Sequence, residues 1–382
     1  NISIIIDEPN AKKALNALHE SFFEKDLKDI HIFITGVGNV GGYLIQQIKN
    51  QKDFISKNLG LNLKVLGVSN SKKMLISKEE IDLKNWSELL DNSKTKADKD
   101  LFQKTIIELN RRNSLFVDNT ASEIIPLTYN DYLKNGVGII TCNKISNSGT
   151  LNVYKELREL SRIHNAPFFY ETNVGAALPV ISTLKNLINS GDKVLKIEAV
   201  LSGTLNYIFN NFQEENTFHD IVSKAVELGY TEPDPKIDLC GIDVCRKILI
   251  LARESGFNLE YEDVKKNHFL PDESINTSSN DEFILSLKNN KAHFNKILNE
   301  AKEKNCRLKF VAKLDNGNAS VGLEAVSADH PFYNLVGSDN ITVFHTERYK
   351  DSPLVVKGAG AGGEFTASGV FADIIKASQE NG

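Results

Sequence analysis

From residue 29 the chain repeats one pattern: a short apolar run, a turn, then an amphipathic stretch of helical period. The runs fall at 30–35, 61–68, 115–117, 138–141 and 168–170, with helical stretches at 40–57, 124–134 and 151–164 between them. Strands separated by helix-length crossovers pair in parallel, because the crossover returns the chain to the same end of the sheet. The pattern predicts a parallel sheet covered by helices on both faces. The lysine-rich stretch 72–100 reads as polar surface structure.

The first turn of this series is Gly36-Val37-Gly38-Asn39-Val40-Gly41, a complete G-x-G-x-x-G that follows a strand and opens a helix. In that setting the first glycine permits the tight turn and the second lets backbone approach a pyrophosphate. The third allows helix to pack on strand, and the helix N-terminus faces the phosphate charge. The first domain is therefore expected to be a Rossmann-type α/β sheet domain. The next strand ends in Ser69-Asn70-Ser71-Lys72-Lys73. A carboxylate is usual there when NAD ribose is bound. Asn70, Ser71 and Lys72 suit a 2′-phosphate better, so NADP(H) is favoured and NAD(H) is the alternative; a plain polar turn would have the same composition. Asp118-Asn119-Thr120-Ala121-Ser122 and Thr141-Cys142-Asn143-Lys144 follow later strands. Loops at the carboxyl ends of parallel strands surround the ligand crevice of such sheets.

Past residue 170 the pattern changes. Helical stretches at 178–188, 218–228 and 240–255 mix with strands at 193–201, 308–314 and 320–326, which reads as an α+β second domain. The glycine-rich stretch 358–363 precedes a helix at 366–378 expected to return to the first domain. The expected division is 1–27, 28–172, 173–353 and 354–382.

The net charge of −5 and pI near 6.0 give no reason to expect a nucleic-acid partner. No apolar run approaches the ~18 residues of a membrane span, and the apolar start is cut off by Asp7, Glu8 and Pro9 with no basic leader, so a cytoplasmic protein is expected. Cys142, Cys240, Cys245 and Cys306 form no C-x-x-C pair and read as reduced structural thiols rather than zinc ligands.

Residues 202–247 contain Glu232, Asp243 and Lys247 in a passage that enters a helix. Asp243 and Lys247 are four apart and share one helix face, where a carboxylate holds a lysine as the ammonium. Pro233 and Pro235 stiffen the loop after Glu232. A solvated loop and an exposed ion pair worth under about 1 kcal/mol is the competing reading. The wording of the segment is more specific. GYTEPDP, then DL, a glycine, DV and RK, closely resembles the signature of homoserine dehydrogenases, and GVGNVG, DNTAS, NK, ETNVGAALP, SGTLNYI, DVCRK and GAGAGG fall in that family's order.

The resemblance implies reduction of L-aspartate 4-semialdehyde to L-homoserine, or the reverse. It implies Lys247 as the proton donor, Asp243 as its orienting partner, Glu232 as the group for the substrate ammonium, and Lys144 as the competing candidate for proton transfer. It places Thr120, Ala121, Asn143 and Lys144 at the nicotinamide end of the cofactor, and Gly362 against the cofactor. It implies backbone carbonyls of Glu171, Val174, Ala176 and Leu178 around a sodium ion, and a homodimer that makes the second domain an α+β substrate and dimerisation domain. The chain starts with Asn1, and a strand at 2–6 with a helix at 10–23 resembles the end of an aspartate kinase regulatory domain. That suggests the dehydrogenase part of a bifunctional fusion, tetrameric in the parent. An oxidoreductase for another small carbonyl compound and a silent nucleotide-binding regulatory module are the competing functions.

Overall fold

In the computed structural model, which describes residues 3–11, 13–15, 18 and 27–380, the first apolar run forms strand β1, Lys28–Thr35. β2 (Leu61–Ser69), β3 (Met74–Ile76), β4 (Ser114–Asp118), β5 (Gly138–Thr141) and β6 (Phe168–Phe169) complete a sheet of order β3-β2-β1-β4-β5-β6. β1 pairs in parallel with β2 on one side and β4 on the other, so the strand order reverses at β1 and β4. That reversal opens a crevice at the carboxyl ends of the two strands.

Both faces are covered, as a parallel sheet requires. On one face Ile30, Ile32 and Ile34 of β1 pack with Leu44, Ile45 and Ile48 of the helix Asn39–Leu59. Ala367, Val370, Ile374 and Ala377 of the C-terminal helix Gly363–Glu380 join the same cluster. The other face carries aromatics: Phe116 of β4 stacks on Tyr132 at 4.2 Å between centroids and meets Phe102 and Tyr129 edge-on.

The stretch 72–100 is more than polar surface. It supplies β3, antiparallel to β2, and the helix Trp86–Asp91, and it buries Met74, Ile81, Leu83 and Leu90. Its apolar residues come in ones to threes among lysines and other polar residues, so no period announces them.

A second sheet is built from β7 (Val194–Val200), β8 (Lys265–Asn267), β9 (Arg307–Asp315), β10 (Asn318–Val326), β11 (Asp339–Thr346) and β12 (Leu354–Ala359), in the order β12-β11-β7-β9-β10-β8. β9 and β10 form a hairpin through Asn316 and Gly317, both at positive φ (46° and 84°), as a two-residue Asn-Gly turn demands. Val200, Val311, Val326, Phe332, Leu335, Ile341 and Val343 make an apolar cluster with this sheet. The helix Ile242–Glu254 packs on β9 and β10.

The chain divides into two units: residues 1–146, Asn152–Tyr170 and Thr366–Gly382 in the first, Asn147–Leu151 and Glu171–Phe365 in the second. The return to the first unit was expected at 354, but β12 pairs antiparallel with β11 and keeps residues 354–359 in the second sheet. At the N-terminus the strand expected at 2–6 does not form over residues 3–6. A strand exists through a ladder partner, and neither sheet offers one. Residues 3–7 are irregular, Glu8–Asn10 is a 3₁₀ turn, and residues 11, 13–15 and 18 are helical. Position 2 and the other positions of the expected helix up to 23 lie outside the described residues.

The helix expected at 240–255 is interrupted at Gly241, which sits at φ 69° as the N-terminal cap of Ile242–Glu254. A Cβ there would lie 2.5 Å from Phe310 Cζ. Gly241→Ala should therefore lower the unfolding free energy by about 2 kcal/mol or more, from left-handed strain and overpacking together; chemical denaturation beside the unaltered chain reads this directly.

Candidate active site

Three glycines shape the turn after β1, each for a different reason. Gly36, at φ 87°, donates its N–H to Ser69 O at 2.8 Å, and a Cβ on it would lie 2.8 Å from the Asn119 carbonyl carbon and Thr120 Cγ2. A Cβ on Gly41 would lie 2.3 Å from Gly36 O, whereas one on Gly38 would meet nothing within 4 Å. The first and third glycines are thus required by protein contacts, and the second faces open space. Val37 is buried in the core, and Asn39 and Val40 open the helix. No side chain caps that helix at Gly38, so its first N–H groups are left for an anion. Beside Gly41, both side-chain polar atoms of Asn119 are buried and unpartnered. This donor set fits the pyrophosphate of a dinucleotide.

At the end of β2 the Asn70 side chain is committed to the turn: Oδ1 accepts from the N–H groups of Lys72 (2.8 Å) and Lys73 (2.7 Å). Ser71 and Lys72 remain exposed at the tip. Asn70 therefore forms the turn and leaves those two side chains as the polar groups available to a ligand.

The loops after β4 and β5 are joined through a residue that sequence reading passed over. Asp118 is fully buried; its Oδ1 accepts the Thr120 N–H (2.8 Å), and its Oδ2 accepts from Tyr129 Oη (2.6 Å) and Asn143 Nδ2 (3.2 Å). Asn143 Nδ2 also donates to Ser122 O at 2.8 Å, and its N–H donates to Thr141 Oγ1 at 2.9 Å. Burial pushes the Asp118 carboxyl up from its ordinary value, against the donors that favour the charged form. Burial also pushes the neighbouring Cys142 thiol to about 12, so it stays a thiol. Ala121 is exposed and Lys144 half-buried in the same loops.

In the second unit Lys247 is 8% exposed on the helix Ile242–Glu254. Its Nζ pairs with Asp243 Oδ2 at 2.7 Å and donates to Leu201 O at 2.6 Å. The lysine end of this pair is buried, while the Asp243 side chain is 47% exposed. Leu201 immediately precedes Ser202, whose Oγ accepts the Leu205 N–H and caps the helix Gly203–Asn211. That helix is pinned from beneath by the fully buried Lys309, whose Nζ donates to Asn206 Oδ1 (3.0 Å), Asn210 Oδ1 (2.5 Å) and Leu335 O (2.6 Å). Burial lowers the Lys309 ammonium to about 8.

Glu232 is exposed, and its N–H donates to Asp238 Oδ2 at 2.8 Å. Asp238 is the second residue that sequence reading missed, although it is the aspartate of the DL element. Burial pushes its carboxyl up to about 6; the Glu232 N–H and the Lys247 ammonium oppose the shift, and the negative charges of Glu232 and Asp243 add to it. Glu232, Asp238, Asp243 and Lys247 therefore act on one another as a single charged cluster.

The segment after β6 begins with a 3₁₀ turn, Glu171–Asn173. The Glu171 carboxylate accepts the N–H groups of Ile181 (2.7 Å) and Ser182 (2.8 Å), at the start of the helix Val180–Asn189. Glu171 O accepts from Val174 N and Leu178 O from Val180 N, while Gly175 and Ala176 turn the chain at φ 84° and 52°. Gly362, at φ 107°, belongs to the second unit. Among the described residues no group of three or more His, Cys, Asp or Glu is placed to hold a metal ion, and no helix is long and apolar enough to cross a membrane.

A dinucleotide-type glycine turn in one unit and, in the other, a nearly buried lysine among partly exposed carboxylates are the kind of features that NAD(P)-dependent oxidoreductases carry. A family model described as homoserine dehydrogenase matches residues 179–375, and one for the homoserine dehydrogenase NAD binding domain matches residues 36–171. The chain belongs to the homoserine dehydrogenase family. It is 38% identical over 358 residues to the Schizosaccharomyces pombe homoserine dehydrogenase, covering 91% of this chain and 95% of that one. It is 42% identical over 379 residues to a chloroplastic bifunctional aspartokinase/homoserine dehydrogenase 2 of Zea mays, covering 98% of this chain but 41% of the relative. The chain thus spans under half the length of such bifunctional relatives. A hyperthermophilic archaeal homoserine dehydrogenase in complex with NADPH has the same fold, with TM-score 0.71 and 26% identity over 92% of this chain and 98% of that one.

The Asp238 shift gives a pH test. Its folded value, about 6, lies above the ordinary 3.8, so between these values the folded chain binds more protons than the unfolded one. Its contribution to stability is therefore full below the unfolded value and lost as pH rises through about 6. Asp238→Asn should gain stability relative to the unaltered chain across that window and hold the gain above it. Denaturation midpoints that run parallel from pH 4 to pH 7 would rule out the buried carboxylate.

Proposed function

We propose that this chain interconverts L-aspartate 4-semialdehyde and L-homoserine with NADP(H), as the dehydrogenase part of a longer aspartokinase fusion. The observation that carries the reading is the Lys247 ammonium, nearly buried and held by Asp243 at 2.7 Å and by the Leu201 carbonyl at 2.6 Å. When bound, the reduced nicotinamide supplies a hydride to the aldehyde carbon. The electron pair left on the aldehyde oxygen then takes a proton from Lys247 Nζ, which gives the alcohol. Asp243 orients that ammonium, and Glu232 receives the amino group of the substrate. Lys144 is the alternative proton donor.

The glycine turn at 36–41 and the helix it opens would hold the pyrophosphate. Ser71 and Lys72, left exposed at the end of β2, support NADP(H) over NAD(H). Thr120, Ala121, Asn143 and Lys144 would face the nicotinamide end, and Gly362 the cofactor. A sodium ion on the carbonyls of Glu171, Val174, Ala176 and Leu178 is part of this reading. Two of these oxygens already accept one hydrogen bond each, and a carbonyl has a second lone pair to offer.

Homology to a bifunctional relative over 98% of the chain supports the fusion, with residues 1–27 as the end of the regulatory domain. A homodimer, tetrameric in the full fusion, and a cytoplasmic location complete the proposal; the Zea mays relative is chloroplastic.

Steady-state turnover with L-aspartate 4-semialdehyde tests the reading. Lys247→Ala should lose about 100-fold or more in turnover while NADPH binding is unchanged, as for loss of a general acid. Near-normal turnover would transfer the proton-donor role to Lys144 or to a water molecule.

A further inference from the structure

Asp118 is a buried carboxylate for which the proposed chemistry has no use. It is fully buried, no cation pairs with it among the described residues, and its donors are the Thr120 backbone and hydroxyl, the Tyr129 hydroxyl and the Asn143 amide. Burying a carboxylate among neutral donors costs folding free energy that a neutral side chain would avoid. What the carboxylate offers in return is acceptor capacity: two oxygens with about four lone-pair sites, able to hold several donors at once. Here those donors come from separate places: the loop after β4, the helix Tyr129–Lys134, and the loop after β5.

The loop after β4 is also fixed on its other side. The Asn119 N–H donates to Thr35 O at 2.9 Å, and Asn119 and Thr120 pack on Gly36 so closely that a Cβ there would lie 2.8 Å away. Asp118 thus ties the glycine turn, through its own loop, to the loop after β5. In a sheet of this order each half serves one mononucleotide of the dinucleotide. The glycine turn and β2 serve one half, and the loops after β4 and β5 serve the other.

We infer that Asp118 is a positioning residue for hydride transfer: without touching cofactor or substrate, its carboxylate locks the loops after β4 and β5 into the one geometry that orients the nicotinamide half. This rests on the dehydrogenase reading above. On the glycine-turn side the loop keeps its Asn119 N–H bond to Thr35 O without the carboxylate, so affinity should fall less than transfer rate when the lock is broken.

Two substitutions test it. Asp118→Asn keeps an oxygen for the Thr120 N–H and can donate to the Tyr129 oxygen, but its amide opposes the Asn143 amide and breaks that bridge. Tyr129→Phe removes one hydroxyl from the same network and serves where Asp118→Asn does not fold. The purified chain is followed by thermal melting, by NADPH fluorescence titration, and by single-turnover oxidation of NADPH and of NADPH deuterated at the transferred position, with L-aspartate 4-semialdehyde. In Asp118→Asn, hydride transfer should slow by about 10- to 100-fold, the cost of a misplacement of about 1 Å, with a larger deuterium isotope effect and a much smaller loss of NADPH affinity. Tyr129→Phe should move the same way by less. Unchanged transfer rates and isotope effects in the folded variants overturn the inference, as does a rate loss that merely tracks lost melting temperature and lost affinity. Failure of the unaltered chain to oxidise NADPH with this aldehyde overturns the dehydrogenase reading itself, and is told apart by needing no substitution.

Discussion

Backbone approach at the strand-order reversal is the constraint on which the nucleotide unit depends. Gly36 bonds to the end of β2 through Ser69 O and touches the start of the loop after β4 at Asn119, while Gly41 leaves no room for a side chain above Gly36 O. Two segments distant in sequence meet within van der Waals distance of one glycine. Any Cβ at Gly36 or Gly41 would push β1 away from the helix it opens, and the uncapped first turn would lose its place over the crevice. The core beneath, from Ile30 to Ile34 and across to Val370 and Ile374, makes that approach rigid.

The second unit solves a different problem, which is to keep charge where packing would exclude it. Its two buried lysines are treated in opposite ways. Lys247 has a carboxylate one turn before it and a carbonyl beyond it. Lys309 has three neutral oxygens and no carboxylate, and burial lowers its ammonium to about 8. A charge satisfied only by dipoles is held by geometry rather than by attraction, and it fixes that geometry in return. Lys309 thereby pins Asn206 and Asn210 of the helix whose first residues follow Leu201, the carbonyl that Lys247 uses. The two lysines are linked through one short helix.

The sequence carried most of the first sheet because its strands are continuous apolar runs and its crossovers have helical period. Residues 138–141 were legible to the residue as β5, whereas β3 was hidden by lysines on either side of three apolar residues. In the second unit β11 and β12 went unread, since strands in a sheet with mixed faces keep no long apolar run. The N-terminal strand failed for the opposite reason: Ile4, Ile5 and Ile6 are apolar yet exposed, because a run of isoleucines becomes a strand only beside a partner. The pairing of Asp243 with Lys247 was legible from their spacing on one helix, whereas the roles proposed for them come from the family resemblance. Asp118 and Asp238 were not. An aspartate ending an apolar run, or one inside a short helix, looks like ordinary punctuation, and only burial distinguishes it.

Those two aspartates make the same physical point from opposite sides. Both are pushed toward the neutral form by burial, but Asp118 is surrounded by donors, whereas Asp238 has carboxylates nearby at Glu232 and Asp243, opposed by the Glu232 N–H and by Lys247. A carboxylate ringed by donors fixes the backbone that supplies them. A carboxylate among carboxylates makes the local potential negative and favours whatever cation arrives. Glu232, exposed at the edge of that cluster and tied to Asp238 by its own N–H, is where a substrate ammonium would gain most from it. The cluster thus acts through its charge, and the Asp118 lock through its geometry.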